Sequence, residues 1–222
     1  MNLTPKLLIA TAITATTFAA PTHADIVQVD VVGSVDFGSF PFPTSWGPFG
    51  SGDPVTMSFQ LDSDNFVDSG VFPVRGYEVI QSSFDLSING NSVGLAAMQP
   101  FGATPYFVLR NDDPAVDGFF LGTSIDGFPN GIATAEPGGI ADNLDTLFSA
   151  TYEGTRLDSL DILGAVGTYD FTGLSVFNWG LEDAFVQPVG FIFDEWTINV
   201  VPTPSALALL SFAGLTTTRR RR

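Results

Sequence analysis

The segment Val55-Thr56-Met57-Ser58-Phe59-Gln60-Leu61 alternates apolar and polar residues with a period of two. A strand of this pattern buries one face, here Val55, Met57, Phe59 and Leu61, and keeps Thr56, Ser58 and Gln60 in water. Phe84-Asp85-Leu86-Ser87-Ile88 repeats the alternation and runs into Asn89-Gly90. That dipeptide supplies the two positive-φ residues of a tight hairpin turn, so the following stretch, 91–98, should return beside it. Further short runs predict strands at 26–35, 106–110, 118–123, 131–135, 147–152, 172–179 and 191–200. Gly, Pro, Asn and Asp punctuate the chain about every 8 to 12 residues between them, the signature of an all-β domain. Helix is scarce; only 157–166, with Leu157, Leu160 and Leu163, has room for a turn or two.

The expected fold is therefore all-β with about ten strands. Variable strand and loop lengths favour a two-sheet, jelly-roll-like β-sandwich over a closed barrel. No composition break divides residues 25–201, so they form one domain, large enough for a core without covalent staples. Nineteen of the 21 phenylalanines fall inside it, which supplies the bulk needed to fill the space between facing sheets. Trp179 and Trp196 sit in expected strands and should join that core. Trp46 lies in a Gly/Pro loop, where a large aromatic is more readily exposed.

Charge separates the domain from its two ends. Between Asp25 and Val201 there are three arginines, no lysine and all 24 carboxylates of the chain, a net charge of −21. An acidic surface of this kind excludes a nucleic-acid binder, whose affinity rests on clustered Lys and Arg. The chain has no cysteine, and its one histidine, His23, precedes the domain. Disulfides, thiol nucleophiles, cysteine-ligated metals and histidine-based triads are thereby removed.

At the N-terminus Lys6 precedes an apolar, small-residue run and Pro21-Thr22-His23-Ala24. One positive charge, a short apolar segment and a small-residue site read as a signal peptide over residues 1–24, a signal helix delivered to a Sec-type export machinery and cleaved after Ala24. The C-terminus, 202–222, has three parts: Pro202-Thr203-Pro204, an apolar run Ser205 to Leu215, and Arg219, Arg220, Arg221 and Arg222. Thr203 can cap a helix that starts at Pro204, where the missing N–H costs nothing. From Thr203 to Thr218 that apolar helix would be about 24 Å long at ~1.5 Å per residue, short of a ~30 Å hydrocarbon core but within reach of arginine snorkelling. Arginines would stay on the cytoplasmic side and the acidic domain outside.

This tail resembles the PEP-CTERM sorting signal of bacterial exported proteins, in a planctomycete-like Pro-Thr-Pro variant with Thr203 where the usual signal has Glu. The resemblance covers about 22 residues and does not extend into the domain. It implies recognition by a membrane-embedded, exosortase-like enzyme, cleavage near the proline element, transient inner-membrane anchoring, and delivery to the cell envelope, outer surface or extracellular matrix.

Within the domain two acidic loops carry candidate chemistry. Asp62-Ser63-Asp64-Asn65-Phe66-Val67-Asp68 offers Asp62, Asp64, Asn65 and Asp68; Asn111-Asp112-Asp113-Pro114-Ala115-Val116-Asp117 offers Asn111, Asp112, Asp113 and Asp117. Hard oxygen ligands at this spacing suit Ca²⁺, although neither loop is an EF-hand. The alternative is a solvated turn, in which Asp and Asn bend and cap the backbone. Paired carboxylates would permit an acidic glycoside hydrolase. The available neighbours, Asp194-Glu195 and Glu182-Asp183, are adjacent in sequence and should point to opposite faces of a strand. The expected function is thus a non-enzymatic, structural or adhesive role at the cell surface, with exopolysaccharide as a candidate partner. A calcium-dependent carbohydrate-binding module comes next, and a glycosidase third.

Overall fold

A computed structural model describes residues 24–38, 49–112, 116–127, 129–135, 144–183 and 186–202. The signal segment up to His23, the tail from Thr203 onward, Trp46, Asp113 and Glu136 lie outside these residues. The strands are β1 (Ile26–Phe37), β2 (Pro54–Asp68), β3 (Val74–Val79), β4 (Asp85–Ile88), β5 (Asn91–Leu95) and β6 (Tyr106–Arg110). They continue with β7 (Val116–Gly122), β8 (Ile132–Ala135), β9 (Leu144–Glu153), β10 (Gly167–Tyr169), β11 (Leu174–Asp183) and β12 (Val186–Val201). The fold is all-β, as the alternation predicts, and every pairing is antiparallel.

The open two-sheet sandwich does not form. β1 pairs along its length with β12 on one side and with β2 on the other, and this closes an eight-stranded barrel in the order β1-β12-β11-β9-β7-β6-β3-β2. Closure satisfies both edges of β1, which a sandwich would have left as sheet margins needing protection. Two chain features make the tight wall practicable. At Gly33 an added Cβ would meet the backbone of Ile192, and at Gly180 it would meet the carbonyl of Val189, so the β1–β12 and β11–β12 ladders approach closely only because neither residue has a side chain.

One part of the wall is double. β2 and β9 are joined by β3, β6 and β7 along one stretch and by β4, β5 and β8 along another. These two three-stranded panels meet at a seam where the ladder is interrupted. The hairpin at Asn89-Gly90 is present, with φ of 50° and 84°. Its second arm, however, stops at Leu95 rather than continuing to Met98, because Gly94 and Leu95 are the last residues of β5 paired with β8.

The interior is apolar and aromatic. Val27, Val29, Val31, Val55, Met57, Phe59 and Leu61 point inward from β1 and β2. Gln28, Asp30, Ser34, Thr56, Ser58 and Gln60 take the outward positions, which is the polarity of a wall that faces water. A lipid-facing barrel has the reverse arrangement. At the centre Trp196 stacks on Tyr169 with ring centroids 4.1 Å apart and meets Phe119 edge-on at 4.8 Å and Phe148 at 5.7 Å. Its indole N–H donates to the Tyr152 hydroxyl at 3.0 Å. Trp179 and Trp196 are both buried, as their strand positions predict. Phe193 and Trp196 both reach the core although they are an odd three positions apart, because β12 bulges between them against Val32 and Gly33. For the same reason Asp194 and Glu195 are both exposed, rather than on opposite faces as simple alternation would have them.

A segment from Gly154 to Val166 crosses one end of the barrel. The expected helical turn there is reduced to one 3-10 turn, Ile162–Ala165, capped by the Asp161 carboxylate on the Leu163 N–H. Leu157, Ile162 and Ala165 are buried beneath it.

Candidate functional site

The two acidic loops of the sequence serve backbone geometry. In β2 the ladder passes from Leu61↔Val79 to Phe66↔Tyr77, so residues 62–65 bulge opposite Glu78 alone. Asp62 accepts from the backbone N–H of Asp64 at 2.9 Å, the Asx turn that bends the bulge. Ser63 is buried and exchanges bonds with Asp25, its hydroxyl accepting from the Asp25 N–H and its own N–H donating to the Asp25 carbonyl, both at 3.0 Å. The Asn65 amide donates to Glu78 Oε2 at 2.9 Å. Asp68 lies farther along, held in two-point contact by Arg75 at 2.5 and 3.0 Å. That guanidinium keeps the Asp68 carboxyl below its ordinary range, and Asp68 in turn holds the Arg75 cation more firmly protonated. The guanidinium also lies 3.7 Å from the centroid of the Phe66 ring. Among the described residues no three Asp, Glu, His or Cys side chains gather so as to hold a metal ion.

In the second loop Asp117 is fully buried. Its Oδ1 accepts from the Asp112 N–H at 3.0 Å, and its Oδ2 accepts from the N–H groups of Arg156 and of Leu157, the latter at 2.7 Å. One carboxylate thus takes three backbone donors and ties the 154–166 segment to the β6–β7 turn. Asp112 is exposed beside it, Asn111 is half-buried with its side-chain oxygen out of water, and Asp113 lies outside the described residues.

A concavity among the described residues lies elsewhere, at the seam between the two panels, in the loop from Ala96 to Pro105. It is a cleft of about 250 Å³ whose lining includes Glu78, Gln81, Met98, Gln99, Gly102 and Thr104. The loop is fixed from below. Gln99 is buried, and its side-chain amide pairs with the backbone of Ala133 as a strand would: Nε2 donates to the Ala133 carbonyl at 2.9 Å, and Oε1 accepts from the Ala133 N–H at 2.8 Å. The Gln81 amide donates to the Ala96 carbonyl at 3.0 Å, and the Val79 N–H donates to the Pro105 carbonyl at 3.0 Å. Each bond replaces a ladder contact that the seam has lost.

Above this anchorage the side chains turn outward. Met98 is 80% exposed and Phe101 is wholly exposed. Phe101 adopts φ 58° and ψ 17°, within a turn closed by the Gly102 N–H on the Gln99 carbonyl at 3.0 Å. A left-handed conformation costs a residue with a Cβ about 1 kcal/mol or more, and the next position, Gly102 at φ 69°, is also left-handed. The fold keeps a large aromatic in a costly conformation with its ring in solvent, where it contributes nothing to packing. Among the described residues Glu78 is the only charged one lining the cleft, and Asn65 in the β2 bulge reaches it through that carboxylate.

None of these features stood out in the sequence. The loop reads as an ordinary Pro-Phe-Gly turn, and the buried role of Gln99 depends on β8, more than thirty residues away. Compared with models of protein families, with curated proteins and with solved structures, the chain matches none.

Proposed function

We propose that the chain is an exported, non-catalytic protein of the cell envelope or extracellular matrix, with a structural or adhesive role, sorted through its C-terminal tail. The observation that carries this reading is the sequence pattern at the two ends: a signal peptide ending at Ala24 and a Pro202-Thr203-Pro204, apolar, four-arginine tail enclosing a domain of opposite charge. The barrel supports it in one respect. Ile26 pairs directly with Val201, so the signal junction and the root of the tail leave the domain side by side. A tail in the membrane would therefore hold the barrel by a single point and leave the remainder of its surface free for contacts.

The carboxylates agree with a non-catalytic role. Asp62, Asp68 and Asp117 are engaged in a turn, an ion pair and backbone capping, while Glu78 is the only acid among the described residues that line the cleft. A glycosidase needs two carboxyl groups flanking one bond. Fractionation of cells into medium, matrix, outer and inner membrane, with the C-terminal residue of each form identified by mass spectrometry, tests the sorting claim. The expected result is a surface or matrix form ending near Pro204. A surface form that keeps Arg219 to Arg222 would overturn cleavage, and an exclusively cytoplasmic chain would overturn the reading as a whole. A calcium titration by calorimetry is expected to give no heat at millimolar concentration.

A further inference from the structure

We propose that the seam cleft, together with the Phe101 ring carried on the same loop, is a binding site for a neutral glycan chain, an inference that rests on the surface role above and gives it a ligand. Three observations converge. First, the aromatic ring is presented at a cost: Phe101 is wholly exposed in a left-handed conformation, on a loop whose backbone is locked by the Gln99–Ala133 pair. Strain of this kind, kept where it adds nothing to the core, marks a surface held ready for a ligand. A rigid exposed ring offers a flat apolar face to the C–H face of a pyranose without further ordering of the protein.

Second, the cleft lined by Met98, Gln99 and Gly102 of the same loop is small, open and partly polar. About 250 Å³ lies at the small end for a ligand pocket, enough for one ring of a chain whose neighbours extend over the rim. The Glu78 carboxylate accepts hydrogen bonds from sugar hydroxyls, and the Thr104 hydroxyl can donate or accept, while Met98 supplies an adaptable apolar wall.

Third, charge selects among polysaccharides. Among the described residues no arginine lines the cleft. Arg75 is committed to Asp68 and Phe66, Arg110 lies over Phe120 and Arg156 over Tyr152. An anionic chain would meet Glu78 and a domain of net charge −21 with no countercharge, so an uncharged chain is the ligand that the site accepts.

The test is affinity electrophoresis of the full chain, in a detergent without a sugar headgroup, through native gels containing dextran, laminarin, hydroxyethyl cellulose or, as the anionic comparison, alginate. At least one neutral glycan is expected to retard the protein and alginate not to. Phe101→Ala should weaken that retardation at least tenfold with an unchanged melting temperature, and Glu78→Gln should weaken it severalfold. Failure of all three neutral glycans, equal retardation of the Phe101→Ala protein, or stronger retardation by alginate would overturn the site. Sorting of the Phe101→Ala chain is read in parallel. A variant still delivered to the surface but blind to glycan separates failure at the cleft from failure of the surface role.

Discussion

Among the described residues two long excursions from the barrel wall use their apolar residues in opposite ways. The 154–166 segment turns Leu157, Ile162 and Ala165 inward and is clasped from beneath by Asp117 and by Tyr77, whose hydroxyl accepts from the Ile162 N–H at 2.9 Å and donates to the Leu160 carbonyl at 2.8 Å. The 96–105 loop is clasped just as firmly, by Gln99, yet turns Met98 and Phe101 into water. In the first, buried polar groups hold a plug over the core. In the second, the same device holds up a display. Burial of apolar side chains explains the first as stability, whereas the second spends stability and needs a function to account for it.

The comparison breaks most sharply at Asp117. Its replacement by Ala strips the acceptor from three backbone N–H groups at a fully buried position and should cost about 3 kcal/mol in a urea unfolding experiment. A loss under 1 kcal/mol would mean that the 154–166 segment stays closed through its apolar contacts alone. Gln99→Ala is the matching change in the other loop. It removes both bonds to Ala133 and should cost about 2 kcal/mol. It should also increase hydrogen exchange at Ala133 and Gly102 while leaving the 154–166 segment protected, which shows the two clasps to be independent.

How far such contrasts are legible in a sequence depends on the distance over which they are made. The first half of β2 and the Asn89-Gly90 hairpin are local, and alternation with turn chemistry was enough to place them. β3 escaped because Val74-Arg75-Gly76-Tyr77-Glu78-Val79 carries a glycine and two charges, which suit a strand only where Arg75 pairs across to Asp68 and Tyr77 plugs the barrel. β10, three residues long, is a strand only through its partner β12. Closure of the ring was not readable either, since it depends on β1 finding two partners, one near in sequence and one at the far end of the domain. The acidic stretches read as turns or calcium sites; Asp62 does make an Asx turn, but residues 62–68 belong to β2, and Asp117 lies buried in β7, where it accepts from backbone N–H groups of a segment some forty residues away. The seam cleft is the extreme case: Gln99 acts as a strand only because β8 lies beneath it.

The plug also predicts an alkaline limit. Burial raises the Tyr77, Tyr152 and Tyr169 hydroxyls above the ordinary tyrosine value of 10.0. Each is hydrogen-bonded: Tyr77 as above, Tyr152 to Trp196, and Tyr169 to the Ala165 carbonyl at 2.6 Å. For a group raised on folding, the unfolded chain releases its proton first, so the stabilisation is complete below pH 10 and lost as the pH climbs past it. The domain has no lysine to titrate in that window. Absorbance at 295 nm should therefore show Tyr77, Tyr152 and Tyr169 ionising together and cooperatively as the protein unfolds. Independent, reversible ionisation of these three without loss of the near-ultraviolet dichroism would show the plug to be permeable.

The smallest effect carries the most telling sign. At most exposed positions Phe→Gly destabilises a protein or leaves it unchanged, since glycine loses more conformational freedom on folding. At Phe101 the side chain makes no packing contact that its removal could forfeit, and φ of 58° is a conformation glycine adopts freely. Relief of about 1 kcal/mol or more, less the roughly 0.5 to 1 kcal/mol that glycine loses in entropy, leaves Phe101→Gly more stable than the wild type by a few tenths of a kcal/mol. Phe101→Ala, which keeps the Cβ and its clash, should gain nothing. A midpoint in urea that rises for Gly and stays put for Ala would establish that the loop holds its aromatic against the backbone's preference. A fall for both would place Phe101 among the residues that stabilise the barrel, and the contrast between plug and display would dissolve.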